Sequence, residues 1–81
     1  MDNEFREKLA NLCHEQWSEW MEYVFSICGH RNGYMMIPDG LGKKWCRQMN
    51  TAYNDLPEDE KESDLGAADE FIELIEKELK E

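Results

Sequence analysis

Apolar residues in the first third of the chain recur at steps of three and four: Phe5, Leu9, Leu12, Cys13, Trp17, Trp20, Met21, Val24, Phe25 and Cys28. That spacing predicts one long amphipathic helix, with Asn3 as its N-cap. Gly29 is expected to end it, and His30-Arg31-Asn32-Gly33 reads as a turn. Tyr34 to Ile37 follows as an extended segment, too short for a proper sheet, and Pro38 closes it. Leu41, Trp45 and Met49, at intervals of four, predict a short helix over about Asp39 to Met49, its first turn weakened by Gly40 and Gly42. The stretch NTAYNDLP is a turn-rich connection carrying Tyr53 and Leu56. Pro57 followed by Glu58, Asp59 and Glu60 marks a strong helix start, since proline suits a first turn and acids suit the positive end of the dipole. Leu65, Ala68, Phe71, Ile72, Ile75 and Leu79 give this last helix its expected buried stripe. Two long helices and one short helix with ordered connecting loops make an all-α fold, read as one domain over residues 1–81.

At 81 residues, 41% of them apolar, the chain has enough bulk for a small core and belongs with globular rather than disordered sequences. A domain of this size is marginal alone, so a homo-oligomer is expected. The net charge is −10, and its distribution is uneven. Residues 1–50 are nearly neutral, whereas residues 51–81 hold twelve acids against Lys61, Lys77 and Lys80 and carry −9. Such a field disfavours nucleic acid and anionic lipid, and leaves the first half as the place for a small anion. No run approaches the roughly 18 apolar residues of a membrane span, and MDNEFREKLANL lacks a signal peptide's basic start and apolar core; the expected location is the cytoplasm. Cys13 and Cys28 on one helix lie roughly 22 Å apart at ~1.5 Å per residue, too far to bridge, so the three thiols are expected to be free.

Enzymatic constellations are weak. Cys28, His30 and Cys46 lack a standard zinc spacing, so no metal is expected. Cys13 and His14 are helix neighbours about 100° apart and do not face each other. There is no P-loop and no G-x-G-x-x-G, and the carboxylates of the last helix have no partner that would separate their roles. The sequence therefore reads as a non-enzyme that uses no cofactor. What remains is rings and cations. His14, Trp17 and Met21 share one face of the first helix; Lys43, Lys44 and Arg47 flank Trp45; Arg31 precedes them in a turn. Aromatic faces stack on bases and cations pair with phosphates, which is the chemistry a nucleotide requires. Each tryptophan also has a structural reading as core and His14 one as a satisfied structural histidine, while the acids of the last helix read most simply as a solvated face.

Three short motifs carry a resemblance. His14, Glu15 and Trp17 match an H-E-x-W; Tyr53 and Leu56, in a segment read as extended, match part of P-Y-x-x-L; Glu58, Glu60, Lys61 and Asp64 match an acidic helix start, E-E-E-K-x-x-D. Over roughly residues 9–75 the chain resembles the domain repeated in ryanodine receptors and also found alone in bacterial and phage proteins. Ala52 stands where that family usually has proline, Leu65 replaces a frequent arginine, and GHRNGYMMIPDGLGKKWCRQM is this chain's own. Trp45, Arg47, Gln48, Met49, Asn50 and Thr51 ahead of the tyrosine are similar to small phage-encoded versions. The resemblance implies ligand binding without catalysis, the ligand being a nucleotide-derived immune signal. A phage-encoded domain of this kind would act in the host cytoplasm as an anti-defence sponge.

The resulting expectation places Trp17, Trp45 and Tyr53 against bases, His14 and Gln48 on base edges or ribose, and Arg31, Lys43, Lys44 and Arg47 on phosphates of a cyclic or NAD-derived nucleotide. The alternative is an acidic protein-interaction module that mimics nucleic acid or docks on a basic partner through its last helix.

Overall fold

The structure is a computed structural model in which residues 3–80 are described. Of the described residues 79% are helical, in two long helices and a short one with a small antiparallel strand pair. Helix α1 spans Asn3–Ile27, β1 Gly29–Arg31, β2 Tyr34–Met36, α2 Asp39–Met49, a single 3-10 turn Tyr53–Asp55, and α3 Glu58–Lys80. The mostly helical class expected from the spacing is what the chain adopts.

The differences are local and have local causes. Helix α1 already includes Asn3, expected as its cap; the residue before lies outside the described residues. It stops at Ile27, where the amide of Cys28 closes the last turn on the carbonyl of Val24 at 3.1 Å. Gly29 is thus not a helix terminator but the first residue of a strand. The expected turn His30–Gly33 tightens to Asn32 and Gly33, both at positive φ (52° and 80°), the pattern of a two-residue hairpin turn. His30 and Arg31 become β1, and the segment from Tyr34 pairs back on them in the register Gly29 to Met36, His30 to Met35 and Arg31 to Tyr34. A minimal sheet therefore forms where an unpaired extended segment was expected.

Helix α2 opens on the carbonyl of Pro38, which accepts from Leu41 and Gly42 at 3.0 and 2.9 Å. It closes with side chains as well as backbone: Asn50 Nδ2 donates to the carbonyl of Cys46 at 2.8 Å and Thr51 Oγ1 to that of Arg47 at 2.6 Å, each adding a second donor to a carbonyl that already accepts from the Asn50 amide. The NTAYNDLP connection is turn-rich as expected and holds the 3-10 turn, with the amide of Leu56 bonded to the carbonyl of Tyr53; Tyr53 to Leu56 is therefore not the extended segment of the motif reading. Pro57 then accepts from Glu60 and Lys61 and starts α3.

Helices α1 and α3 run antiparallel, as their cross-links show: Lys8 pairs with Glu78 at 2.5 Å, and Gln16 Nε2 donates to the carbonyl of Ala67 at 3.1 Å and to Glu70 at 2.9 Å. The residues of α3 that turn toward α1 are Ala67, Phe71, Leu74 and Glu78. The expected stripe is corrected: of its members Phe71 alone is drawn in, and Leu65, Ala68, Ile72, Ile75 and Leu79 are exposed. Two apolar rows lie side by side on α3, and one neighbouring helix covers one row. Among the described residues Val24 and Cys28 form the whole of the buried core.

Candidate ligand-binding site

The nine residues expected to bind ligand fall in four places. His14 and Trp17 lie exposed on the middle of α1, their rings stacked with centroids 6.0 Å apart, with His14 Nε2 at 3.5 Å from Ser18 Oγ. Trp45, half-buried, meets Trp20 edge-on at 5.4 Å, and Trp20 in turn meets Tyr23 at 5.4 Å, so this ring chain fastens α2 to α1. Gln48 lines a cleft of about 400 Å³ with Trp20, Met49, Leu56, Glu60, Ser63 and Asp64. Tyr53 carries the ammonium of Lys61 over its ring at 5.8 Å, a contact between the 3-10 turn and the first turns of α3.

Three of the four cations sit on α2, and two of them are engaged. Lys43 pairs with Asp39 at 3.0 Å along the exposed side of the helix. Arg47 Nη2 donates to Glu60 Oε2 at 2.5 Å, bracing α2 against α3. That hydrogen bond raises Arg47 above its ordinary value and holds the Glu60 carboxyl below the usual carboxylate range; burial opposes the shift in Glu60, and Gln48 and Lys44 add to it. The side chain of Glu60 is 9% exposed, and its other oxygen, Oε1, is buried without a hydrogen-bond partner. An anion approaching Arg47 would have to compete with this carboxylate, and Asp64 stands in the same cleft.

Arg31 is placed differently. It lies on the hairpin directly across from Tyr34, and cross-strand partners project from the same face. Together with Phe25, His30, Asn32, Gly33 and Met35 they line a concavity of about 500 Å³. The rings of Phe25 and His30 stack at 5.7 Å, and His30 Nε2 lies 3.1 Å from the carbonyl of Phe25, which sets the imidazole's orientation. Among the described residues no carboxylate lines this concavity, in a chain of net charge −10. Of the sequence-derived set it contains Arg31 alone. In the sequence Phe25 belongs to the apolar positions of the first helix, His30 to a turn and Tyr34 to an extended segment; the Asn-Gly pair between the last two is the signal that joins them in a hairpin.

A second groove is of opposite character. It runs between α1 and α3, about 670 Å³, walled by Glu4, Glu7, Glu15, Glu70 and Glu73 with Lys8 and Lys77. Among the described residues no cluster of His, Cys, Asp or Glu could hold a metal ion, and Cys13, Cys28 and Cys46 are free. No helix among them is long and apolar enough to cross a membrane. Comparison with protein-family models, with curated proteins and with solved structures gives no match.

Proposed function

We propose that this chain is a non-catalytic binding protein for a nucleotide-derived molecule, held at the hairpin rather than along α2. The observation that carries the reading is the hairpin concavity: a guanidinium and three rings, with no carboxylate among the described residues that line it, in an otherwise strongly acidic chain. Tyr34 and the Phe25/His30 pair supply π-faces for a base, and Arg31, opposite Tyr34, supplies a planar fork for a phosphate. The resemblance to stand-alone ryanodine-receptor-type domains gives the ligand class, a cyclic or NAD-derived signal, and the mode of action, sequestration without turnover.

The test is a thermal-shift screen against cyclic di- and trinucleotides, cyclic ADP-ribose isomers, ADP-ribose and NAD. A ligand at about 100 times its Kd adds about 2.7 kcal/mol, which in a domain this small raises Tm by about 10 °C or more. The shift is expected to vanish in Arg31→Ala and in Tyr34→Ala and to persist in Lys43→Ala. A shift lost in Arg47→Ala but kept in Arg31→Ala would move the site to α2 and overturn the hairpin placement; no shift with any of these compounds would overturn the nucleotide reading.

One observation favours a second reading. The five carboxylates walling the α1/α3 groove fit a basic peptide or protein surface. In that case Glu70→Lys with Glu73→Lys abolishes capture of a partner while nucleotides leave Tm unchanged.

A further inference from the structure

The α1/α3 pair has two unlike faces. On one lies the acidic groove, to which Glu7, Asn11 and Glu15 contribute from α1 and Glu70, Glu73 and Lys77 from α3. Two residues along an α-helix is a rotation of about 200°, so the residue two places on from each of these points to the opposite face. Those residues are Leu9, Cys13 and Trp17 of α1 and Ile72, Ile75 and Leu79 of α3. All six are uncharged and most are large and apolar. With Leu65 and Ala68 the α3 row reads Leu65, Ala68, Ile72, Ile75, Leu79, alternating steps of three and four over two heptads, the spacing of a helix that packs against another helix. Its four large members are 41% to 81% exposed and Trp17 is 59% exposed.

We propose that this face is the interface of a homodimer, in which the α1/α3 layer of one copy closes on that of a second. The dimensions identify the occupant. The molecule measures 49 × 33 × 16 Å, little more than one helix thick, whereas a domain is built from at least two packed layers. Its radius of gyration is 16.4 Å, against about 12 Å for a compact chain of this length. Its accessible surface is 6806 Å², against about 5,100 Å² for a compact monomer of this mass. The excess, roughly 1,700 Å², is about twice what each partner contributes to a standard interface and lies in the range of obligate dimers. A chain with two buried residues among those described lacks the core to be stable alone, and a second copy supplies the missing layer at once.

Charge selects the arrangement. Asp69 and Glu76 border the α3 row, so two α3 helices laid on each other would set acid against acid. A twofold axis running along the helices instead lays each α3 on the α1 of the other copy. Arg6, two residues on from Glu4 and therefore on this same face, then comes over the C-terminal end of the other α3, where the helix dipole is negative and Glu76 borders the row.

Sedimentation equilibrium with a melting series across about 1–300 µM tests this, because dimer stability follows protein concentration. Wild type is expected at twice 9.7 kDa, with Tm rising with concentration. Ile72→Lys with Ile75→Lys enters a twofold interface twice and should raise the dimer Kd by at least about a thousandfold. Arg6→Glu, exposed and off the apolar row, should weaken the dimer about tenfold or more with the helical circular dichroism intact. Glu73→Lys, on the opposite face, should leave the dimer unchanged. A wild type that stays at 9.7 kDa with a concentration-independent Tm would overturn the proposal. A dimer that survives both Arg6→Glu and the Ile72/Ile75 pair would place the interface elsewhere. Neither outcome depends on the nucleotide reading, whose test reads Arg31.

Discussion

Arg47 and Glu60 illustrate how a residue type acquires its role from its neighbour. In the sequence Arg47 is one of three cations around a tryptophan, a natural phosphate ligand; in the fold it hydrogen-bonds a largely buried carboxylate and braces α2 on α3. That pairing joins residues 13 apart across a turn, which no helical period reports. It has a pH signature. Arg47 holds Glu60 below the usual carboxylate range, so on acidification the unfolded chain binds the proton first. The pair's stabilisation is complete above the unfolded value, about pH 4.3, and is lost as pH falls through the lower folded value. Urea denaturation of wild type and Glu60→Gln should therefore show a stability gap that is constant from pH 7 to about pH 5 and closes toward pH 3. A gap that stays open at the acid end would mean the shift, and with it the brace, is absent. The motif residues tell a similar story: Tyr53 holds Lys61, Glu60 holds Arg47, and His14 stacks on Trp17, so each is engaged within the fold.

Among the elements, α2 is legible from its apolar interval of four, a local signal: the observed helix, Asp39–Met49, matches the span expected at about those residues, although Gly40 and Gly42 weaken the signal for its start. The hairpin is not legible, although its turn is in plain view, because strands of three residues carry too little alternation to announce themselves. What makes it is Asn32-Gly33, which supplies positive φ at both central positions. Gly33 has open space around it, so Gly33→Ala tests backbone strain alone, with no clash. A left-handed residue that is not glycine costs about 1–2 kcal/mol, and a two-stranded hairpin is marginal to begin with. Hydrogen exchange should accordingly show loss of protection confined to Gly29–Met36, with α1 and α3 unchanged. Equal loss across all elements would mean that the hairpin and the helices unfold as one unit. Since Arg31 and Tyr34 are opposed only through this register, nucleotide shifts should weaken in the same variant.

For the molecule as a whole, the sequence could report that α3 is amphipathic but not which of its two apolar rows the chain itself would cover. That choice depends on how many helices there are to share, a property of the assembled layer. Charge is legible at this scale, and it argues for one more behaviour. Twelve acids fall in the last 31 residues, and the acids of α1 and α3 face each other across the groove formed by Glu4, Glu7, Glu15, Glu70 and Glu73. Against this repulsion stand a few pairs, of which Lys8 with Glu78 and Lys43 with Asp39 are partly or fully open to solvent and worth little. Raising the salt from about 10 mM to 150 mM shortens the Debye length from about 30 Å to 8 Å, which screens the repulsion across the groove more than it loosens the close pairs. Tm should therefore rise with sodium chloride over this range, and most of the rise should disappear in Glu70→Lys with Glu73→Lys, where the groove is already neutralised. A Tm that falls with salt would show that the ion pairs, rather than the crowded acids, dominate the electrostatics of this layer.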